Sequence, residues 1–240
     1  MALSNEIAVT YKGGPGISRT AGTLASGKRL LKGGLSMQVA GKVYPVGALT
    51  SLALSLPGAD ANGGILVWSP QHRVRIALTG GTSQTLALTS ITFGASTLDI
   101  SIKLSTDNAD AVTTPGTVLA AFIRTHGVLS QLLRVAPRGT GASICAVATI
   151  TAVPQVTLLG WASKTYGDAA SVADQTVEME FKTGVAQAQA NGSDAPTRAM
   201  IGGQVTVTDD VMVSAALDPF GLQAELVDVD ASGYPYIRVA

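Results

Sequence analysis

Short apolar runs alternate with polar residues at a period of two along most of the chain, and turn residues interrupt the runs at close intervals. Val205 and Val207 alternate with Gln204, Thr206 and Thr208, and residues 177–181 interleave with Glu178, Glu180 and Lys182. A strand sends successive side chains to opposite faces, so each pattern predicts one dry face and one wet face. Nearer the N-terminus, runs at Leu35–Val39, 43–46, 49–56 and Ile65–Trp68 are separated by Gly41-Lys42, Pro57-Gly58 and Asn62-Gly63-Gly64. That turn chemistry predicts a succession of hairpins. The last forty residues repeat the theme, with runs at 211–213, Leu222–Val229 and 234–239 and turns at Asp209-Asp210 and Asp230-Ala-Ser-Gly233.

The middle of the chain reads differently. Residues 73–78, 86–88, 91–93 and 98–104 alternate as strands, after which Thr113-Thr114-Pro115 offers a capping threonine and a proline at the first helical turn. Val118, Leu119, Phe122 and Ile123 then fall on one helical stripe, and Gly127 marks the stop. Strands at 132–136 and 144–153, divided by Pro137-Arg-Gly-Thr-Gly141, complete an order of strand, strand, helix, strand that suits an α/β sandwich. Residues 1–20 contain Gly13-Gly14-Pro15-Gly16 and no periodicity, which predicts an arm, either flexible or ordered against a neighbouring subunit. The expected fold class is mainly β with an α+β insertion. A β-barrel or sandwich of residues 21–70 and 161–240 is interrupted by a small α/β sandwich at 71–160.

Composition sharpens the picture. The chain has 240 residues, enough for a sizeable core in one or two domains, and its low charged fraction of 13% beside 46% hydrophobic residues argues against disorder. Its net charge of zero leaves little solubility margin, which suits a protein held in an assembly. The charge is unevenly placed. Lys12, Arg19, Lys28, Arg29 and Lys32 face only Glu6 in the first 32 residues, whereas Asp209, Asp210, Asp218, Glu225, Asp228 and Asp230 face only Arg238 in the last 41. Two explanations are open: turns collect charge, or Lys28, Arg29, Lys32, Asp209 and Asp210 make complementary contacts with another subunit or a shell protein. Nucleic acid is not an expected partner, because dispersed cations without interleaved aromatics make no phosphate-tracking groove. No membrane partner is expected either, since residues 144–162 are broken by Thr149, Thr151, Pro154, Gln155 and Thr157. Residues 1–11 carry no secretory pattern, so a soluble protein is expected.

Candidate chemistry is sparse. Only His72 and His126 could serve as catalytic bases, and neither sits in a supporting motif. Ser143, in Gly141-Ala-Ser-Ile-Cys145, lacks the second glycine of a nucleophile elbow. The Gly13–Gly16 and Gly139-Thr-Gly141 segments lead into no phosphate-binding helix. One cysteine, Cys145, and two distant histidines disfavour zinc and exclude an intrachain disulfide, and the apolar neighbours of Cys145 predict a buried, inert thiol. Asp209, Asp210, Asp228 and Asp230 could converge on calcium or simply serve turns. The expectation is therefore no catalytic residues, no metal and no cofactor.

The order Ile201-Gly202, a valine-rich strand, Asp209-Asp210, Val227-Asp-Val-Asp230, Gly233 and an aromatic terminal strand resembles the C-terminus of tailed-phage capsid cement (head decoration) proteins. Residues 73–145, with Ile100-Ser-Ile-Lys-Leu-Ser-Thr-Asp107, the Thr114-Pro115 helix entry, His126 and Gly139-Thr-Gly141, are similar to a small α/β module of phage structural proteins, tail sheaths among them. The first resemblance implies a non-enzymatic virion protein on the outside of the assembled head, made in the host cytoplasm, with the major capsid protein and its own copies, as a trimer, for partners. The second allows an alternative, a tail-associated structural protein of the tube, sheath or fibre base.

Overall fold

Alternation becomes paired strands in the computed structural model, which describes residues 17–47, 49, 53–94, 97–162, 164–167, 176–181, 185–190, 192–209 and 211–239. The arm expected at residues 1–20 lies almost wholly outside the described residues. The chain opens with β1 (Ile17–Leu24), β2 (Leu35–Val39) and β3 (Lys42–Pro45). β2 and β3 form a hairpin with Val39 opposite Lys42, so only Ala40 and Gly41 turn the chain, both at positive φ. Two left-handed residues match the natural twist of paired strands, which is why short hairpins favour them.

The next stretch, Thr50–Val156, is a compact unit of its own. It contains β4 (Leu54–Leu56), β5 (Ile65–Trp68), β6 (Val74–Thr79), β7 (Ala87–Phe93), β8 (Leu98–Lys103), helices α1 (Gly116–Thr125) and α2 (Leu129–Leu132), β9 (Arg134–Pro137) and β10 (Ala148–Val153). Four strands pair in the order β10-β6-β8-β7, and three in the order β4-β5-β9. Val74, Ile76, Leu78, Leu98, Ile100 and Ile102 line one face of the larger sheet and share a core with Ile65, Val67, Val135, Leu119 and Ile123. Every second residue of β6 and β8 is buried, as the alternation requires.

Several boundaries depart from the sequence reading. β4 and β5, grouped by pattern with the outer strands at 21–70, join β9 instead: β4 pairs with β5, and β5 pairs with β9 from Ile65 opposite Pro137 to Trp68 opposite Arg134. Pairing partners are a long-range property, and no local pattern encodes them. The helix buries Leu119, Ala120 and Ile123 and leaves Val118 exposed, so the true stripe is rotated from the one expected. Pro115 itself takes the capping position without a side-chain bond, while the Thr114 hydroxyl accepts a hydrogen bond from the Ser105 amide at 2.7 Å. The expected strand over 144–153 shortens to β10, because Ser143, Ile144 and Cys145 make isolated bridges to other segments.

The chain returns through β11 (Val156–Ala162), β12 (Thr176–Phe181), β13 (Val185–Gln187), β14 (Gln189–Ala190), β15 (Gln204–Val207), β16 (Met212–Ser214), β17 (Leu222–Val229) and β18 (Pro235–Arg238). Residues 1–49 and 157–240 make up the second compact unit. In it β1-β12-β11-β2-β3 close into a barrel, sealed by parallel pairing of Thr23 and Leu24 with Lys42 and Val43. Closure removes the free edges of that sheet. Leu24, Leu30, Val43, Ala162 and Tyr166 pack together as one of its buried clusters. The remaining strands form a six-stranded sheet, β13-β18-β17-β15-β16-β14. Val205 opposite Ala224, Val207 opposite Leu222 and Leu226 opposite Ile237 supply its buried face. The fold is mainly β with a small helical component.

Candidate functional site

Three of the five basic residues in the first 32 lie on the segment joining β1 to β2. Lys28, Arg29 and Lys32 are exposed there, while Leu30 and Leu31 between them are buried. This alternation anchors the loop and presents its cations outward. Leu30 pairs with Tyr166 through two backbone hydrogen bonds of 3.1 and 2.8 Å, and the Lys32 amide donates to the Thr165 hydroxyl at 3.2 Å. A Cβ on Gly167 would stand 2.4 Å from the Lys28 carbonyl oxygen, so the two segments touch backbone to backbone. The same pairing brings in Lys164, which is exposed and whose Nζ lies 5.4 Å from the centre of the Tyr166 ring. Sequence reading missed Lys164, since nothing local links it to a loop more than a hundred residues earlier.

The acidic residues behave differently. Asp209, expected at a contact surface, is only 2% exposed. Its Oδ1 accepts hydrogen bonds from the amides of Val211 (2.9 Å) and Met212 (2.8 Å), which binds the carboxylate into the turn between β15 and β16. Its charge is used to hold backbone, which corrects the contact assignment. Asp210 lies outside the described residues. Asp230 Oδ1 accepts from the amides of Ser232 and Tyr234, and Asp228 Oδ1 from the amide of Val229. Glu225 lies opposite Arg238 in the β17–β18 register and meets it at 3.1 Å. Among the described residues no three His, Cys, Asp or Glu side chains are grouped to hold a metal ion.

Another polar cluster is one that sequence motifs did not single out. The Ser143 hydroxyl donates to Asp60 Oδ2 at 2.8 Å, and Asp60 Oδ1 accepts the Asn62 amide at 2.7 Å. Arg138 donates to the carbonyls of Asp60 and Ala61 and to the Ser55 hydroxyl, and Asn62 Oδ1 accepts the Thr140 amide. The Ser143 and Asn62 hydrogen bonds hold the exposed Asp60 carboxyl below the usual carboxylate range. A carboxylate so stabilised is a poor base for activating serine. The cluster instead clasps the β4–β5 loop to the segment after β9.

The remaining reactive side chains also have structural surroundings. Cys145 is a free, buried thiol, and desolvation raises its pKa, which disfavours the nucleophilic thiolate. His126 ends α1 and its Nδ1 accepts the amides of Val128 and Leu129 at 3.3 and 3.4 Å, satisfying the first donors of α2. His72 is exposed, its amide donating to the Ser69 hydroxyl. Compared with known protein families, curated proteins and solved structures, the chain matches none.

Proposed function

We propose that this chain is a structural protein of a tailed-phage virion, a capsid cement protein that binds the outside of the assembled head and reinforces contacts between major capsid subunits. The observation that carries the reading is the C-terminal sheet. Ile201 and Gly202 lead into β15, Asp209 sets the turn to β16, and Asp230 to Gly233 turns β17 into the terminal strand β18. Those are the segments that carry the resemblance, in the order it requires. The anchored basic loop supports the reading as well, because the exposed Lys28, Arg29 and Lys32 suit an acidic shell surface. A trimer is the proposed oligomer. The inserted α/β module favours a second reading, a tail-associated virion protein.

Imaging purified particles with an antibody to this chain separates the two, since head labelling in many copies is expected and tail-confined labelling would overturn the cement assignment. Heads lacking the protein should release DNA at lower temperature than complete heads. Reversing charge at Lys28, Arg29 and Lys32 together should lower occupancy on bare heads at low salt. Exposed pairs contribute below ~1 kcal/mol each, and physiological salt screens them beyond about 8 Å, so the difference should shrink as salt rises.

A further inference from the structure

The outer strand of the four-stranded sheet is distinct from both the basic loop and the acidic turns. β7 ends the order β10-β6-β8-β7 and pairs with β8, and among the described residues no strand pairs with its far side. Such an edge directs backbone donors and acceptors outward as a template for another strand, and natural edges are commonly blunted by charge or proline. This one has neither: from Ile76 to Leu98 the chain contains no Asp, Glu, Lys, Arg or Pro. A bulge between Leu88 and Ser90 disturbs its first half, but Ser90, Ile91, Thr92 and Phe93 stand in regular register with Ser101, Ile100, Asp99 and Leu98. Because Ile100 and Leu98 face the core, Ile91 and Phe93 lie on that side of the sheet and Ser90 and Thr92 on the other. Phe93 is nevertheless 76% exposed.

We propose that β7 pairs antiparallel with β7 of a second copy about a two-fold axis at Thr92, joining two four-stranded sheets into one of eight strands. Residues opposite each other in a sheet share a face. Centring the pair on Thr92 sets Phe93 of each copy over Ile91 of the other, Thr92 against Thr92 and Ser90 against Gly94, apolar with apolar and small with small. Centring it on Ser90 would oppose Leu88 to Thr92, which the bulge has turned to different faces. The choice of a second copy follows from electrostatics. An isologous antiparallel contact lays the strand against its own copy, so an edge carrying charge of one sign would repel itself, and this uncharged edge escapes that repulsion. A charged partner strand would find no counter-charge there. The contact is short, and its strength in an assembly comes from repetition over many copies. It stands independently of any virion role.

The test uses the full chain carrying Thr92→Cys, with the likewise exposed Thr89→Cys as the control, and a short bismaleimide as cross-linker. The buried Cys145 stays out of the reaction. Thr92→Cys should form covalent dimers about tenfold or more faster than Thr89→Cys, because pairing raises the local thiol concentration. Adding Phe93→Lys should erase that difference while leaving the thermal unfolding transition in place. Should the lysine variant unfold early, Phe93→Ser asks the same question without charge. Equal rates for the two cysteines, or rates unmoved by the Phe93 changes, would overturn the pairing.

Discussion

Asp209 shows how one side chain can be misjudged when only its charge is counted. Its place in an acidic stretch suggests a surface contact, yet it is buried and receives two backbone amides. Asp209→Ala should cost about 1–3 kcal/mol in urea unfolding, since those amides lose their acceptor in a partly buried turn. Asp209→Asn keeps an oxygen in place and should cost less. Asp60 is the opposite case, an exposed acid whose carboxyl is held below the usual range by Ser143 and Asn62. A depressed acid stabilises the fold above its unfolded pKa, and that contribution is lost as pH falls through the lower folded value. A titration followed by NMR should therefore show the Asn62 amide shifting below the usual carboxylate range, and a midpoint at the ordinary aspartate value would contradict the clasp. For Cys145 the shift is upward, so the fold favours the neutral thiol, and the associated stability is lost as pH rises through the folded value. Native labelling by a thiol reagent should lag far behind labelling in urea at neutral pH, and equal rates would mean that the thiol is open to solvent.

At the scale of elements, the β4–β5 hairpin carries the strictest local demand. Asn62-Gly63-Gly64 reads as a turn in sequence, and Leu56 does stand opposite Ile65. The loop is also threaded against the segment after β9, which no local signal announces. Gly64 has φ +79° and a Cβ there would lie 2.1 Å from the Leu56 carbonyl oxygen, so strain and collision coincide. Gly64→Ala should lower stability by at least about 2 kcal/mol. Gly127, between α1 and α2, is the contrasting position, since a Cβ added there would meet nothing within 4 Å. Gly127→Ala should therefore stay within about 0.5 kcal/mol. Thermal or denaturant unfolding of the two variants checks the contrast, and similar losses would remove the packing argument. The helix is legible as a helix, because Leu119 and Ile123 recur at its period. Its orientation is not, since Val118 and Ala120 differ in hydrophobicity in the wrong sense for their burial.

At the scale of the whole molecule, the chain folds into Thr50–Val156 and a unit made of the flanking segments, residues 1–49 and 157–240. The inserted unit has its own core, in which both sheets and α1 meet. Replacing Thr50–Val156 by a short Gly/Ser linker should leave a cooperative, single unfolding transition in the flanking unit, with a smaller denaturant slope in keeping with its smaller buried area. A broad, non-cooperative transition would mean that the flanking unit depends on the insert. The sequence reading opens the insertion at residue 71, after β4 and β5, whereas the compact unit begins at Thr50. β4 and β5 resemble the strands before them in composition, and only the pairing of β5 with β9, with β4 alongside β5, assigns them to the insert.

The class of fold is written in the order of residues, because period-two alternation with Gly, Asn and Asp at the breaks leaves strands few alternatives. So is the gathering of cations early in the chain and carboxylates late. Both are local properties, legible in neighbouring residues. Long-range pairing settles the rest: that β1 and β3 close a barrel, that Leu30 and Tyr166 fasten the basic loop, and that Asp209 faces inward while Asp60, Arg138 and Ser143 meet. Each of these depends on which distant segments come together, and that follows from burying many apolar faces at once, a condition no short stretch of chain can express.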